Sequence, residues 1–267
     1  ALLFVVPLAI VLLVSFGSTD LVNRPVYGFH PENYADVFDG IYLKVLVQTV
    51  IYAIVTALIS VVLGYPTAYA IAVHGGRAKG ILVGLLLLPW VVNFLVRVYA
   101  WIAILGDGGI VNELLRRLGV HGDPPVHFLN TPWAVLGGLV YGYFPFVVLP
   151  IYAALEQFDT RLIEAGKDLY GSPRAVFWKV TWPLTRGATA VGALLVLLPV
   201  LGDFATARLL GGPETYMVGN VIESQFLQSG YPPTGSALSI VLLVLLLLTI
   251  GLARRAGSVR SALRRTL

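Results

Sequence analysis

The residues of this sequence that could do chemistry are ionisable side chains inside apolar segments. Asp203 lies in LLPVLGDFATARLL, and Arg97 lies in NFLVRVYAW. A charge inside the membrane is costly, so each is a candidate for a functional role. Asp203 could attract a cation, or it could be an internal partner for Arg208 or for a backbone donor near the proline of its segment. Arg97 could pair with an acid across a subunit contact, and both arginines would repel a cationic ligand.

Aromatic side chains near these charges could hold an ammonium group. Cation–π attraction to an aromatic face contributes ~0.5–2 kcal/mol for each ring. Tyr99, Trp101 and Tyr141 are therefore candidates for a pathway that a cation follows through the membrane. The alternative is that they belong to the aromatic belts that form at both membrane surfaces.

The residue types present exclude several other kinds of chemistry. The chain has no cysteine, which excludes disulfides and thiolate catalysis. Its four histidines are scattered, so we predict no metal site. The glycine-rich HGGRAKG lacks the spacing of a phosphate-binding loop, so the chain should not hydrolyse ATP by itself. An intramembrane enzyme would need a paired nucleophile and base, which Asp203 alone does not supply. Such an enzyme, or a polytopic scaffold, is a distant alternative.

Long apolar runs must position these residues. Of the 267 residues, 57% are hydrophobic and only 12% are charged, about half the charge of a soluble domain. A helix that crosses a bilayer needs about 20 apolar residues, and the runs are of that order. The first run begins at residue 1, and we expect a flank to precede it. We predict an all-α membrane protein with six transmembrane helices, at about 1–16, 45–73, 81–105, 133–155, 187–210 and 236–253.

The connections between the spans predict the orientation. Twelve of the eighteen basic residues lie on one side, after the second span, after the fourth span and in the tail. Basic connections stay in the cytoplasm, so both termini are predicted to be cytoplasmic. The opposite connections hold nine acidic residues against four basic ones. An acidic mouth of this kind would raise the local concentration of cations.

The connection between the fourth and fifth spans is charged and amphipathic, and it reads LIEAGKDLYGSPRAVFWKVTWPL. Serine caps a helix and proline suits its first turn, so Gly171-Ser172-Pro173 predicts a break between two short helices. Charges interleaved with apolar side chains favour docking into a groove of another protein. The alternative is a helix that lies on lipid. The apolar side chains in question are Leu162, Leu169, Val176 and Phe177.

This segment resembles the cytoplasmic loop of permease subunits of binding-protein-dependent ABC importers. The family pattern is Glu-Ala-Ala, three residues, Gly, nine residues, Ile, one residue, Leu-Pro. Glu164, Ala165 and Pro183 match it at the family spacing. The sequence departs from the pattern at Gly166, Tyr170, Val180 and Trp182. The resemblance implies that the segment couples to an ATPase subunit through Glu164, Ala165, Gly166, Asp168, Leu169, Gly171, Ser172, Pro173, Phe177 and Pro183.

The resemblance extends over about residues 31–248. The stretches LPWVVNFLVRVYAWIAILGDGGIVN and LLPVLGDFATARLLGGPETYMVGNVIESQF look most similar to the spermidine/putrescine-type permeases. The resemblance implies a single importer transmembrane domain over 1–267, with a permease core at about 41–253 and a coupling loop at about 156–184.

The resemblance also implies a function, a location and partners. The chain would be a permease subunit of an ATP-driven importer in the bacterial inner membrane, with a polyamine or a related small organic cation as cargo. It would bind no cofactor itself, because partner subunits use ATP and magnesium. The arginines Arg97 and Arg208 keep an anionic or zwitterionic cargo open as the alternative. The implied partners are two ATPase subunits, a second permease subunit in a heterodimer, an extracytoplasmic substrate-binding protein and membrane lipid, with no nucleic acid.

Overall fold

The computed structural model describes residues 2–20, 25–157 and 160–263 of the chain. These residues are mostly helical, and a two-residue antiparallel pair joins β1 (Ser18–Thr19) to β2 (Pro25–Val26). Short π-helical or 3-10 turns lie at Ala70–His74, Gly76–Ala78, Phe177–Thr181 and Pro213–Thr215. The helices are α1 (Leu2–Ser15), α2 (Glu32–Val37), α3 (Gly40–Tyr69), α4 (Lys79–Val91), α5 (Phe94–Leu105), α6 (Ile110–Arg117), α7 (Pro132–Glu156), α8 (Thr160–Tyr170), α9 (Pro173–Val176), α10 (Trp182–Leu201), α11 (Ala205–Leu210), α12 (Val218–Leu227) and α13 (Pro232–Leu263).

Five helical segments among these residues are long and apolar enough to cross a membrane. This agrees with the prediction of a multi-pass helical membrane protein. Helix α1 is also apolar, but its 14 residues are fewer than the ~20 that a full crossing needs. The count of six spans therefore stays a prediction. The five segments are Gly40–His74, Phe94–Arg117, Pro132–Glu156, Pro173–Leu201 and Pro232–Ala253.

The predicted third span, 81–105, is not one helix. Helix α4 ends at Val91, Val92 is extended, and α5 begins at Phe94. The Asn93 side chain accepts a hydrogen bond from the backbone N–H of Leu95 at 2.9 Å. A side-chain oxygen that caps the first N–H groups of a helix stabilises a new helix start at that point.

The predicted fifth span, 187–210, is displaced at both ends. The helical run starts at Pro173, continues through the π-helical turn at Phe177–Thr181 and ends at Leu201. A non-helical stretch follows, and α11 then begins at Ala205. The second half of the charged connection is therefore continuous with the membrane-spanning helix that follows it.

The chain divides into two compact units. The first comprises Ala1–Ala53, Trp101–Val135 and Leu198–Leu267. Within it, α1, α2 and α12 pack against α13. The prediction of a single transmembrane domain is not tested by this division and stays a prediction. The core of the first unit includes a buried cluster of Val37, Leu46, Val218, Ala237 and Leu238.

The second unit comprises Ile54–Ala100 and Leu136–Leu197. Within it, α3 and α10 both approach α7 closely at Val147, which is fully buried. A Cβ atom on Gly64 would lie 2.9 Å from Cγ1 of Val147, and one on Gly192 would lie 3.1 Å from its Cα. Glycines at these points let helix backbones approach closely. This packing fixes the part of α3 that faces the charged connection.

Candidate functional site

The charged connection folds as two helical arms, α8 and the run that starts with α9. Gly171 separates them with a φ of +66°, a conformation that glycine adopts without strain. The Ser172 hydroxyl accepts a hydrogen bond from the backbone N–H of Ala175 at 3.3 Å, and Pro173 occupies the first turn of α9. The predicted break at Gly-Ser-Pro is confirmed, with the capping chemistry that the sequence indicates.

The two arms pack on each other. Gly166 of α8 is buried, and a Cβ atom there would lie 3.2 Å from Cγ1 of Val176 and 3.3 Å from Cγ2 of Val180. Val176 is 3% exposed. The Lys179 ammonium of the second arm lies 4.5 Å from the ring centroid of Tyr170 in the first. We expected Val176 to face a partner, but it faces the other arm, because the two helices fold back on each other after Gly171.

Other side chains of the segment are exposed on the surface of the chain. Leu169 is 74% exposed and Trp178 is 64% exposed. Among the predicted coupling residues, Phe177 and Pro183 are half-buried. Glu164 lies in α8, but its side chain is outside the described part of the structure. The other coupling residues that are exposed are Ala165, Asp168, Gly171, Ser172 and Pro173.

Large apolar and charged side chains are thus both exposed on one compact segment. Exposed apolar surface rimmed by charge is typical of a site that another protein covers. The sequence did not single out Trp178, because aromatic residues are expected throughout a membrane protein.

Asp203 lies in the break between α10 and α11 rather than inside a helix. It is 7% exposed. Its carboxylate accepts hydrogen bonds from the backbone N–H of Thr206 at 2.9 Å and from the Thr206 hydroxyl at 3.0 Å. A backbone donor, one of the two internal partners that the sequence suggested, is present at Thr206. Arg208 forms an ion pair with Glu223 of α12, so its charge is balanced locally.

Arg97 lies in the first turn of α5. Its guanidinium carbon is 5.2 Å from the ring centroid of Trp90 and 5.9 Å from that of Phe94. The indole N–H of Trp90 donates to the carbonyl oxygen of Gly142 at 2.9 Å, which fixes the ring. The Nε and Nη1 atoms of Arg97 are buried and make no hydrogen bond to any residue that the structure describes. Burial removes water from these nitrogen atoms, which costs free energy. Cation–π contacts with two rings offset part of that cost.

The predicted pathway residues fall in both units. Asp203 and Trp101 belong to the first unit, whereas Tyr99 and Tyr141 belong to the second. Tyr99 and Tyr141 are exposed, and Trp101 is half-buried. Their joint role along one pathway stays a prediction. Within 2–20, 25–157 and 160–263, no group of three or more histidine or acidic side chains could hold a metal ion.

Known proteins that are similar to this chain include transport proteins of the membrane. One family model, described as the binding-protein-dependent transport system inner membrane component, matches residues 60–256. The chain is 39% identical over 252 residues to the spermidine/putrescine transport system permease protein PotB of Haemophilus influenzae. The matched region covers 94% of this chain and 88% of that protein. This chain is 36% identical over 240 residues to the protein of the same name from Escherichia coli, covering 90% and 87% of the two chains.

A solved structure has the same fold. A bacterial ABC transporter involved in the import of the acidic polysaccharide alginate superposes on 95% of this chain and 91% of its own, with a TM-score of 0.69 and 21% identity. At that identity the likeness concerns the fold.

Proposed function

Because this chain belongs to the family of binding-protein-dependent transport system inner membrane components and is a permease subunit of an ABC importer, we propose that its cargo is a polyamine such as spermidine or putrescine, or a related small organic cation. The observation that carries this proposal is the similarity to PotB proteins over 94% of the chain. The buried carboxylate of Asp203 and the acidic connections of the predicted outer side give it physical support, because both attract cations.

We infer the following arrangement in the bacterial inner membrane. The chain forms six spans with both termini in the cytoplasm, and a second permease subunit, in a heterodimer, provides the other half of the pathway. Two cytoplasmic ATPase subunits hydrolyse ATP with magnesium, and an extracytoplasmic binding protein delivers the cargo. The exposed side chains of the charged connection, such as Leu169 and Trp178, provide the surface on which one ATPase docks.

The coupling step follows from this arrangement. ATP binding closes the ATPase pair, and the closure displaces the two-armed segment that rests on it. The second arm is continuous with α10, so the displacement enters the membrane as a movement of that helix. Only a difference in affinity between two states can shift their populations, and ATP supplies that difference at the ATPase.

A zwitterionic or anionic cargo is the second candidate, and Arg97 favours it. Two of its guanidinium nitrogens are buried without a hydrogen-bond acceptor among the residues described. A carboxylate forms strong, charge-assisted hydrogen bonds with arginine, and a cargo could supply one. A carboxylate of the second permease subunit would serve equally well, so this observation ranks below the similarity to PotB.

Uptake by the purified importer tests the proposal. The complete complex, with its binding protein, is reconstituted into vesicles loaded with ATP, and uptake of radiolabelled putrescine and spermidine is compared with that of a zwitterionic amino acid. We expect saturable, ATP-dependent uptake of at least one polyamine. Uptake of the amino acid alone would support the second candidate and overturn the first. Vesicles loaded with ADP are the control for leakage.

A further inference from the structure

Tyr65 of α3 lies at the centre of the contacts that hold the second arm of the charged connection, which we call the coupling segment from here on. It is 6% exposed. Its ring meets the edge of Phe177 with centroids 5.4 Å apart and an interplanar angle of 85°, and it contacts Trp182 at 5.6 Å. Edge-to-face pairs of this kind stabilise more than their buried area alone accounts for. Phe177 begins the π-helical turn and Trp182 begins α10, so Tyr65 contacts both ends of that turn.

The Tyr65 hydroxyl adds a directed bond to these ring contacts. It lies 2.7 Å from Oγ1 of Thr185. The Thr185 hydroxyl also donates to the carbonyl oxygen of Thr181 at 2.8 Å, so it links Tyr65 to the backbone of the second arm. Thr185 is fully buried, and inside a membrane protein water does not compete strongly for such a bond.

A second face of α3 at this level is also closely packed. Gly64, next to Tyr65, packs on Val147 of α7, and Gly192 of α10 packs on the same valine. Close-packed helices of this kind move as a body, because interiors packed this tightly deform little. The π-helical turn at Phe177–Thr181 is the irregular point of the second arm, and such single turns often mark functional sites.

We propose that Tyr65 is a positioning residue that makes α3 follow α10 when the coupling segment is displaced. The inference rests on the proposed coupling role of that segment. It adds that α3 is a second helix that receives the movement. Without Tyr65, α10 would shift against α3, and ATP hydrolysis would continue without moving the pathway. The movement itself would pass from Phe177 and Trp182 to the ring, and from Thr181 through Thr185 to the hydroxyl.

Spin-label distances test this directly, because the chain has no cysteine of its own. Val62 of α3 and Val191 of α10 are 67% and 51% exposed, so cysteines at these two positions are chosen as labelling sites in the complete importer. With Tyr65 present, we expect one narrow distance distribution that is the same without nucleotide and with ATP trapped by vanadate. In Tyr65→Leu, the distribution should shift or broaden on trapping. An unchanged narrow distribution in Tyr65→Leu would overturn the proposal.

Transport per ATP hydrolysed is the second readout, with putrescine as the probe. Tyr65→Phe removes this hydrogen bond, and Thr185→Val removes it together with the bond from Thr185 to the carbonyl oxygen of Thr181, while both keep most of the packing. We expect Tyr65→Phe to lower putrescine uptake per ATP about threefold, an effect within the range of one hydrogen bond, and the double variant to lose no more than Thr185→Val alone. Tyr52→Phe is the matched control, since Tyr52 lies on the same helix and is 7% exposed. Additive losses, or an equal loss in the control, would contradict the assignment.

The two proposals fail in different ways. If the unaltered complex retains its ATPase and hydrolyses ATP but takes up no polyamine, the cargo is wrong, and the distance measurement still tests Tyr65. If the complex retains no ATPase, the coupling role fails and the inference about Tyr65 falls with it.

Discussion

Asp203 has two roles that can be separated by substitution. Its carboxylate bonds to the backbone N–H and the hydroxyl of Thr206, which stabilises the start of α11. The same carboxylate carries a negative charge in a buried position, where it would attract a cationic cargo. The sequence predicted the second role from the charge alone. It also allowed a bond to a backbone donor, but it did not place that donor at the start of α11, because the apolar residues on both sides hide the end of α10.

We predict that Asp203→Asn keeps the bond from the backbone N–H of Thr206, which its amide oxygen accepts, and loses the negative charge that would attract a cation. Its thermal stability should stay close to that of the unaltered protein, whereas the KM for polyamine uptake should rise at least about tenfold, the low end of electrostatic attraction by a charged site. Asp203→Ala also removes the cap and should cost about 1 kcal/mol of stability in addition. Uptake kinetics and a thermal melt of each purified complex provide the measurements. Unchanged uptake by Asp203→Asn would leave the residue with a structural role only.

At the scale of elements, the two-armed segment shows which local signals can be read from sequence. Glycine, serine and proline in succession predicted the break at residues 171–173, because each has a strong backbone preference. The inward position of Val176 was not predictable, since it depends on the two arms folding against each other at Gly166. The break before α5 was missed for another reason: Asn93 caps that helix inside an otherwise continuous apolar run.

Gly166→Leu should force the two arms apart. The new side chain would collide with Val176 and Val180, and overpacking of this kind typically costs about 1–3 kcal/mol. We expect the amount of ATPase that copurifies with the chain to fall about tenfold, because the docking surface loses its shape. Gly187→Leu in α10 is the matched control, since nothing lies within 4 Å of a Cβ atom there.

Quantitative gels of the purified complexes compare the ATPase retained by each variant. Equal retention by Gly166→Leu and Gly187→Leu would show that the packing of the arms does not matter for docking. A loss in both variants would point to a general effect of leucine in these helices.

At the scale of the whole molecule, composition predicted the membrane class and the similarity to known permeases assigned the family. Hydropathy locates apolar runs well but does not fix where a helix stops within one. Five segments within the part of the chain that the structure describes reach spanning length, but for this reason the predicted bounds of the third and fifth spans differ from those observed. Orientation depends on the membrane itself, and it therefore stays a prediction that rests on the distribution of basic residues.

Cysteine labelling tests that orientation. We predict that a cysteine at Glu214 reacts with a membrane-impermeant maleimide in intact spheroplasts, whereas one at Lys167 reacts only after the membrane is opened. Both residues are exposed, so lack of access within the protein would not explain a difference. Labelling of both variants in opened membranes is the control. Reaction of the Lys167→Cys variant in intact spheroplasts would place the charged connection outside and remove its role in coupling.

The central claim is that this chain works as one permease subunit within a larger ATP-driven complex. The most direct test is mild purification of the chain from its native membrane, followed by mass spectrometric identification of every protein that accompanies it. We predict an ATPase and a second multi-pass permease subunit in fixed ratio to this chain, and loss of the ATPase in the Gly166→Leu variant. Repeated recovery of the chain alone, from several mild detergents, would contradict the claim.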